Sequence, residues 1–396
     1  VAGYNRQLLH SYLNLGKISL FFNMSKVNRY RIYPTKSQVT KLNSTLELCR
    51  WVYNETLALR KNAWESEQKR ISYYDSKKMI PIWKKDKPEL KEVHSHALQD
   101  VTMRVDLAFQ AFFRRVKTGE KAGYPRFKGK GWYDSITYLQ SGFSLNNNML
   151  TISKIGDIKI KLHRPLEGNI KRLTIRRTST GKWFVSILTD YDSYQPLEHS
   201  DKSVGIDVGI QSFAALSDGT FIENPKFYVK EQKNLAKAQR KHSKLQKGTP
   251  ERKKALKVLC RVHERISNKR ENFIQKLSKT FVDNYGIICF EDLNIKKMVK
   301  DPLYAKGIMD AAWNKLVAYT TYKDGNAGRR VVLVNPYNTS QMCSKCGTLV
   351  EKGISERVHN CPFCGLSVDR DLNASINILR LGLQSDRKIG RCPSLQ

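Results

Sequence analysis

Residues 26–33 alternate basic with apolar or aromatic side chains (Val27, Tyr30, Ile32), and this period of two predicts a strand. Pro34-Thr35 then opens a helix with Val39, Leu42, Leu46 and Cys49 on one face, and residues 51–55 lead into a second helical stretch. A basic, aromatic-rich segment follows, carrying Trp64, Tyr73, Tyr74 and Trp83. Residues 97–117 predict an amphipathic helix, with Leu98, Val101, Val105, Phe109, Phe112 and Phe113 inward and Arg104, Arg114, Arg115 and Lys117 outward. Beyond Gly119 the composition shifts. Residues 123–131 read as a loop or edge strand, and short strands are expected at 136–139, 149–153, 157–161, 170–177 and 182–189, with turns at 146–148 and 180–181. Together they make a small barrel-like β unit, with the helices of 36–117 inserted after its first strand. Residues 191–202 read as a polar linker.

The second half changes period again. Residues 204–210 are an apolar run interrupted by Asp207 and read as a buried strand, followed by a tight Asp218-Gly219 hairpin. Residues 226–270 hold 16 Lys/Arg against three Glu. Leu256, Leu259, Val262 and Ile266 recur there at helical spacing, and residues 248–250 break the segment into two helices with one basic face. A helix over 271–284 leads into a second buried strand that ends in Glu291 and Asp292. A helix at 308–323, a strand at 331–334, a cysteine-rich segment and a last helix at 371–381 complete the pattern.

At 396 residues the chain exceeds the usual single core, so two or more domains are expected. Its 70 Lys+Arg against 36 Asp+Glu give a net charge of +34, a field that favours polyanions. Charge alone leaves RNA, DNA and anionic lipid open. For 226–270 a solvated helical hairpin is the ordinary alternative, and the size of the imbalance favours nucleic-acid contact. No run approaches the ~20 apolar residues of a membrane span. The apolar patch Ile18 to Phe22 has no convincing cleavage site, so residues 1–23 read as an extension or leader ahead of a folded protein starting near Met24. Cys49, Cys260, Cys289 and Cys392 are scattered, which fits a reducing cytoplasm rather than a disulfide framework.

The remaining four cysteines form two pairs, Cys343-x-x-Cys346 and Cys361-x-x-Cys364. Thiolates at this spacing occupy two corners of a tetrahedron from one tight knuckle, and two knuckles complete a closed four-sulfur zinc shell. A closed shell has no open position, so this zinc is expected to be structural. A redox pair is the weaker alternative, because there are two pairs and no thioredoxin-like context. His359 beside Cys361 reads as a surface residue of the loop, the shell being full.

Asp207 lies in an otherwise apolar strand, where a lone charge is costly unless paired or metal-bound. Glu291 ends a second apolar strand, and Asp371 opens a helix whose small Ala374 would let it pack closely on a sheet. Three carboxylates from separate elements could converge at the edge of one mixed sheet and hold two Mg2+ ions for phosphodiester hydrolysis. Each has an ordinary alternative: Asp207 could pair with a lysine, and Asp292 and Asp369 read as helix caps or structural partners. Asp371 is preferred over Asp369 because it stands two residues before Asn373-Ala374, although a share for Asp369 stays open.

These residues carry a resemblance. Gly205-Ile206-Asp207-Val208-Gly209, Phe290-Glu291-Asp292-Leu293-Asn294, Thr339 to Gly347, Cys361 to Gly365 and Asp369 to Ala374 resemble the motifs of TnpB, the transposon-encoded relative of type V CRISPR effector nucleases. The match extends forward to residues 30–35, 51–54 and 124–128, and so covers the chain from residue 26 to about 380. The resemblance implies an α/β fold: a split RuvC nuclease of RNase H-like fold interrupted by a zinc ribbon, plus an N-terminal β-barrel wedge domain with a helical recognition insert. The implied segments are wedge 24–36 and 121–195, recognition insert 37–120, nuclease 196–338 and 367–381, zinc ribbon 339–366, and a C-terminal tail 382–396.

By the same resemblance Asp207, Glu291 and Asp371 are the three nuclease carboxylates and ligate Mg2+, while Cys343, Cys346, Cys361 and Cys364 ligate Zn2+. The implied activity is cutting of double-stranded DNA paired to a guide RNA from the transposon end, next to a short adjacent motif. The protein is expected to act on nucleoid DNA in the cytoplasm, with a monomer favoured and the oligomeric state left open. Arg126, Lys128, Lys237, Arg240, Lys241, Lys244, Arg261 and Arg265 are the expected nucleic-acid contacts. Trp51, Tyr53, Trp64, Tyr73 and Tyr74 could stack on bases, although aromatics at helical spacing more often fill a core. Two rival readings are a guide-RNA-dependent DNA-binding regulator and an unguided zinc-ribbon nucleic-acid-binding accessory protein. A DNA-joining transposase would need to bring two DNA ends together, and no dimerising coiled coil is evident.

Overall fold

The computed structural model describes residues 24–191, 196–353 and 356–390. The leader 1–23 and the end of the tail, 391–396, lie outside them. The chain divides into two compact units at residues 193/194, each with its own core.

In the first unit, strand β1 (Met24–Tyr33) runs into helix α1 (Lys36–Glu67). Thr35 caps α1 reciprocally with Gln38, so two otherwise unpaired N–H groups are satisfied where the chain changes from extended to helical. The two helical stretches read across 36–55 are this one helix. Helices α2 (Tyr73–Asp86) and α3 (Ser95–Lys117) follow, with a short 3-10 turn at Pro88–Glu92 between them. Next come β2 (Ser135–Leu139), β3 (Phe143–Asn146), β4 (Met149–Ile152), β5 (Gly156–Lys161), β6 (Asn169–Arg177) and β7 (Trp183–Tyr191).

All seven strands join one antiparallel sheet in the order β2-β6-β7-β1-β5-β4-β3. Its two edges, β2 and β3, are consecutive strands with three residues between them, so the sheet curls until it is nearly closed. β1 sits mid-sheet, and the helices are an insertion after it, as the period change along the chain implied. The expectation missed β3, an edge strand whose residues alternate only between half-buried and exposed.

Helix α3 buries Leu98, Val101, Val105 and Phe109, but Phe113 is exposed. Arg104 faces inward, against expectation. Its guanidinium bonds Asp100 (2.6 Å), Ser135 Oγ (3.0 Å) and Thr137 Oγ1 (2.7 Å), which ties α3 to β2. A buried guanidinium is tolerable only with such full pairing, which sequence spacing does not reveal.

The second unit opens with β8 (Ser203–Val208), β9 (Ser212–Leu216) and β10 (Phe221–Glu223), an antiparallel meander with the Asp218-Gly219 turn. Helices α4 (Phe227–Lys244) and α5 (Pro250–Asn284) form the basic hairpin. The break at 248–250 is where expected, whereas the separate helix at 271–284 is the second half of α5. Ala255, Val262 and Ile266 are buried, and Leu256 is exposed instead. Strand β11 (Ile287–Glu291) is followed by α6 (Ile295–Met298), α7 (Pro302–Ala311), α8 (Trp313–Ala327) and β12 (Arg330–Val334). The helix expected at 308–323 is broken at Ala312, whose φ of 54° ends one helix and starts the next.

A small hairpin, β13 (Val358–Asn360) with β14 (Ser367–Asp369), leads into α9 (Arg370–Gly390). That last helix outruns the expected 371–381, so the segment read as a tail begins inside it. The five-stranded sheet has the order β10-β9-β8-β11-β12, with β11 parallel to both β8 and β12. One face carries Val204, Ile206, Ile288 and Phe290 against α5, α7 and α8; the other carries Cys289, Val332 and Val334 against α9. Both faces are covered, and the strands therefore read as nearly continuous apolar runs.

Candidate nuclease centre and metal site

Alternation along the parallel strands explains the carboxylates. Ile206 and Phe290 are register partners, so Asp207 and Glu291 are the next residues along neighbouring strands. Both share the parity of Gly205 and Cys289, the face that α9 covers. Gly205 permits that cover: a Cβ there would stand 2.1 Å from the Ser375 carbonyl oxygen and 2.5 Å from the Leu379 amide nitrogen. Gly382 makes a second close approach, where a Cβ would meet Cys289 Sγ at 2.2 Å. The small residue that brings helix and sheet together is thus glycine at two points, with Ala374 buried nearby. Asp371 opens this helix.

The other two acids act on Asp207. Burial pushes the Asp207 carboxyl well above the usual range, and the charges of Glu291 and Asp371 push it further, while Arg370 opposes them. Among the described residues no lysine pairs with Asp207 in the way its ordinary alternative required; the cation acting on it is Arg370. Burial also raises Glu291, partly offset by the Thr339 hydroxyl donating to its Oε1. Asp371 lies 3.6 Å from Arg357 and 3.3 Å from Arg370. Asp369 is occupied as a cap, its Oδ1 accepting from the Asp371 (2.8 Å) and Leu372 (3.2 Å) N–H groups. At the other helix start the cap is Asn294, not Asp292.

The cysteines are gathered more tightly. Among the described residues they are the one group of metal-ligand side chains whose ligand atoms could share an ion, all within 4.8 Å of one another. Cys343 Sγ is 3.6 Å from Cys364 Sγ, and Cys346 Sγ is 3.6 Å from Cys361 Sγ. Zinc–sulfur bonds of about 2.3 Å put tetrahedral sulfurs about 3.8 Å apart, so the four thiols suit Zn2+. The two knuckles match bond for bond. In each, the first cysteine's N–H donates five residues on (Cys343 to Thr348, 2.9 Å; Cys361 to Leu366, 2.8 Å), and a left-handed glycine donates back to it (Gly347, 2.9 Å; Gly365, 3.0 Å). Bonding to Thr348 lowers the Cys346 thiol to about 6, while, against a backbone bond from Leu366, burial and the neighbouring thiols push Cys364 up to about 12, so that in the absence of an ion the cluster favours its charge on Cys346. His359 is fully buried rather than on the surface, its Nδ1 bonded to Lys352 Nζ.

Sequence reasoning missed the groups that join these two sites. Asn373 accepts from the Ser344 N–H (2.8 Å) and donates to the Met342 carbonyl (2.8 Å). Asn377 donates to the carbonyls of Thr339 (2.9 Å) and Met342 (2.6 Å). Two asparagines one turn apart on a helix, facing a cysteine pair, were the available signal.

Of the expected nucleic-acid contacts, Lys237, Arg240, Lys241 and Lys244 are exposed on α4, and Arg261 and Arg265 on α5, around a seam of Leu235, Val262 and Ile266. Arg265 is partly drawn to Glu231 (3.6 Å). Arg126 is exposed in the first unit, whereas Lys128 is half-buried, its ammonium over the Tyr53 ring and its backbone bonded to Asn54. Of the aromatics considered, Tyr53 is core, Trp51 packs edge-on against Trp83, and Trp64 and Tyr74 are exposed. Among the described residues no helix is long and apolar enough to cross a membrane.

Comparison with known proteins settles the family. The chain is 38% identical over 363 residues to a "Putative RNA-guided DNA endonuclease" of Streptomyces pristinaespiralis, covering 90% of this chain and 89% of that protein. The chain belongs to the TnpB family. It is 30% identical to the "Putative RNA-guided DNA endonuclease InsQ" of Escherichia coli (89% of this chain, 91% of that protein) and 26% identical to "TnpB-like protein L770" of Acanthamoeba polyphaga mimivirus (92% and 74%). Within this TnpB chain, residues 186–301 match the OrfB family of IS605, described as a probable transposase. Residues 313–378 match the Cas12f1-like TNB domain, a span that contains both cysteine pairs. Residues 24–69 match a helix-turn-helix domain, and form β1 and α1 here.

Proposed function

We propose that this TnpB-family chain is a guide-RNA-directed DNA endonuclease whose centre is Asp207, Glu291 and Asp371. The observation that carries it is the placement of two acids side by side on parallel strands, with a third opening the helix that covers them, so that the charges of Glu291 and Asp371 oppose ionisation of Asp207. Clustered buried carboxylates are costly unless a cation offsets them. The strand order, an antiparallel meander continued by two parallel strands, supports a RuvC-like domain of RNase H type. The nearly closed sheet supports a wedge domain, with α1–α3 as its recognition insert.

An all-oxygen donor set suits a hard cation, so the chemistry of these three acids fits Mg2+, although their oxygens are not gathered about one point as the four sulfurs are; the ion would supply water activation and charge neutralisation at the scissile phosphodiester. The protein's own part is positional. Asp207 and Glu291 are held by the strand register, and Asp371 by the first turn of α9, its carboxylate paired to Arg357 and Arg370. The cysteines hold a structural Zn2+, and the exposed lysines and arginines of α4 and α5 grip nucleic-acid backbone. Two relatives named as RNA-guided DNA endonucleases, matched along nearly their whole length, support guide RNA and target DNA as partners.

The test is to express the protein with its native flanking DNA, sequence the co-purified RNA, and offer DNA complementary to its variable end. The expected result is one discrete RNA and Mg2+-dependent cutting that Asp207→Ala abolishes. Heterogeneous cellular RNA with no guided cutting would overturn the proposal.

A further inference from the structure

Thr339 lies in the loop between β12 and the first cysteine pair and is 3% exposed. Its hydroxyl has one proton and two acceptors, Glu291 Oε1 and the Pro336 carbonyl at 3.1 Å. While Glu291 is ionised the carboxylate wins, because a charge-assisted bond is roughly twice as strong as a neutral one. The residue cannot drift, since its own carbonyl accepts from the buried Asn377 side chain of α9 at 2.9 Å. Three residues on, the Met342 carbonyl accepts from both Asn373 and Asn377. The loop is therefore pinned to the helix that carries Asp371, while its hydroxyl reaches across to the strand that carries Glu291.

We infer that Thr339 is a positioning residue that sets the rotamer of the Glu291 carboxylate relative to Asp371 and so prepares the metal site. The inference rests on the nuclease reading above. Removing the hydroxyl leaves one carboxylate oxygen without its fixed donor, and the side chain can turn away. The backbone bonds to Asn377 do not involve the side chain and persist. Outer-sphere partners of this kind are worth about 10–100-fold in metal affinity or activity.

The test compares Thr339→Val, which keeps the shape and loses the hydroxyl, with Thr339→Ser, which keeps the hydroxyl. Four quantities are read: zinc per chain, guide and target binding, cleavage rate against Mg2+ concentration, and the rise in melting temperature on adding Mg2+. Thr339→Val is expected to keep zinc and binding, to need about 10-fold or more Mg2+ for half-maximal cutting, and to lose most of the Mg2+-induced rise. Thr339→Ser is expected to restore both. A Val variant with the parent's Mg2+ dependence, or Val and Ser variants impaired alike, would overturn the inference. Loss of zinc or target binding in step with cutting would overturn it too, in favour of a purely structural role. If the parent itself never cuts, the nuclease reading fails separately, and the Mg2+-induced melting shift alone decides for or against the positioning role. A parent with no such shift overturns both.

Discussion

Gly205 and Ser375 meet backbone to backbone: a Cβ on the glycine would stand 2.1 Å from the serine's carbonyl oxygen. No rotamer change relieves this, because the obstacle is main chain within α9. Gly205→Ala must therefore push the helix off the strand and carry Asp371 away from Asp207. Overpacking of this kind costs about 1–3 kcal/mol or more. Melting should drop by several degrees and cutting should fall further than stability does. A fully active Gly205→Ala enzyme would show that α9 can move without consequence.

Asp207→Asn separates strain from function. The parent, without metal, carries a carboxyl whose ionisation is opposed by burial and by two neighbouring acids. The amide removes that repulsion at nearly constant shape, so the variant should melt higher than the parent in chelator, while losing cutting. Added Mg2+ should narrow the gap. A variant that melts lower in chelator would mean Asp207 is a structural partner.

Zinc removal should reach the carboxylates. The knuckle at Cys343 is tied to α9 through Ser344 to Asn373, and through Met342 to Asn373 and Asn377. Cys343→Ser is expected to release zinc, destabilise the second unit and abolish cutting. Asn373→Ala should keep zinc yet lose cutting at least 10-fold. Zinc content by elemental analysis and the cleavage rate read the two effects separately, and a zinc-free Cys343→Ser protein of normal stability would remove the structural role.

Asp324 gives the second unit a pH dependence of defined sign. Burial raises its carboxyl from 3.8 to about 6, although it accepts from the Val331 N–H at 2.9 Å. The folded form binds this proton more tightly than the unfolded chain, so the stability it contributes is complete below about pH 4 and lost as pH rises through about 6. The difference is about 3 kcal/mol. Asp324→Asn keeps the acceptor and removes the titration. Melting of parent and variant should converge near pH 4 and diverge by pH 7, with the variant higher; parallel profiles would contradict the assignment.

The basic hairpin should act through charge alone. Replacing Lys237, Lys241 and Lys244 together by Ala should weaken nucleic-acid binding at all sequences and lower the salt slope by about two to three. Melting should stay within about 1 kcal/mol, since all three are exposed. An unchanged salt slope would take α4 out of the interface.

How far the chain could be read depends on the range of the interaction. The cysteine knuckles, the helix start at Thr35, the hairpin at Gly219 and the apolar strands around Asp207 and Glu291 were legible because each is decided within a few residues by spacing, backbone conformation or alternation. The same local rules split α5 wrongly, at 270/271, and read through the break at Ala312, because a helix end without glycine or proline is settled by what packs on it. Arg104 turned inward and His359 became buried for a related reason: their partners are far off in sequence, at Ser135 and Thr137 for the arginine, or in an irregular loop, at Lys352 for the histidine. The sequence alone determined that the two cysteine pairs could hold a metal. Only the tertiary structure decided that Gly205 lets α9 close on the sheet, that Asp369 is spent as a cap while Asp371 is not, and that Thr339 reaches Glu291. Close approach and hydrogen-bond choice depend on elements that meet only when the chain is folded.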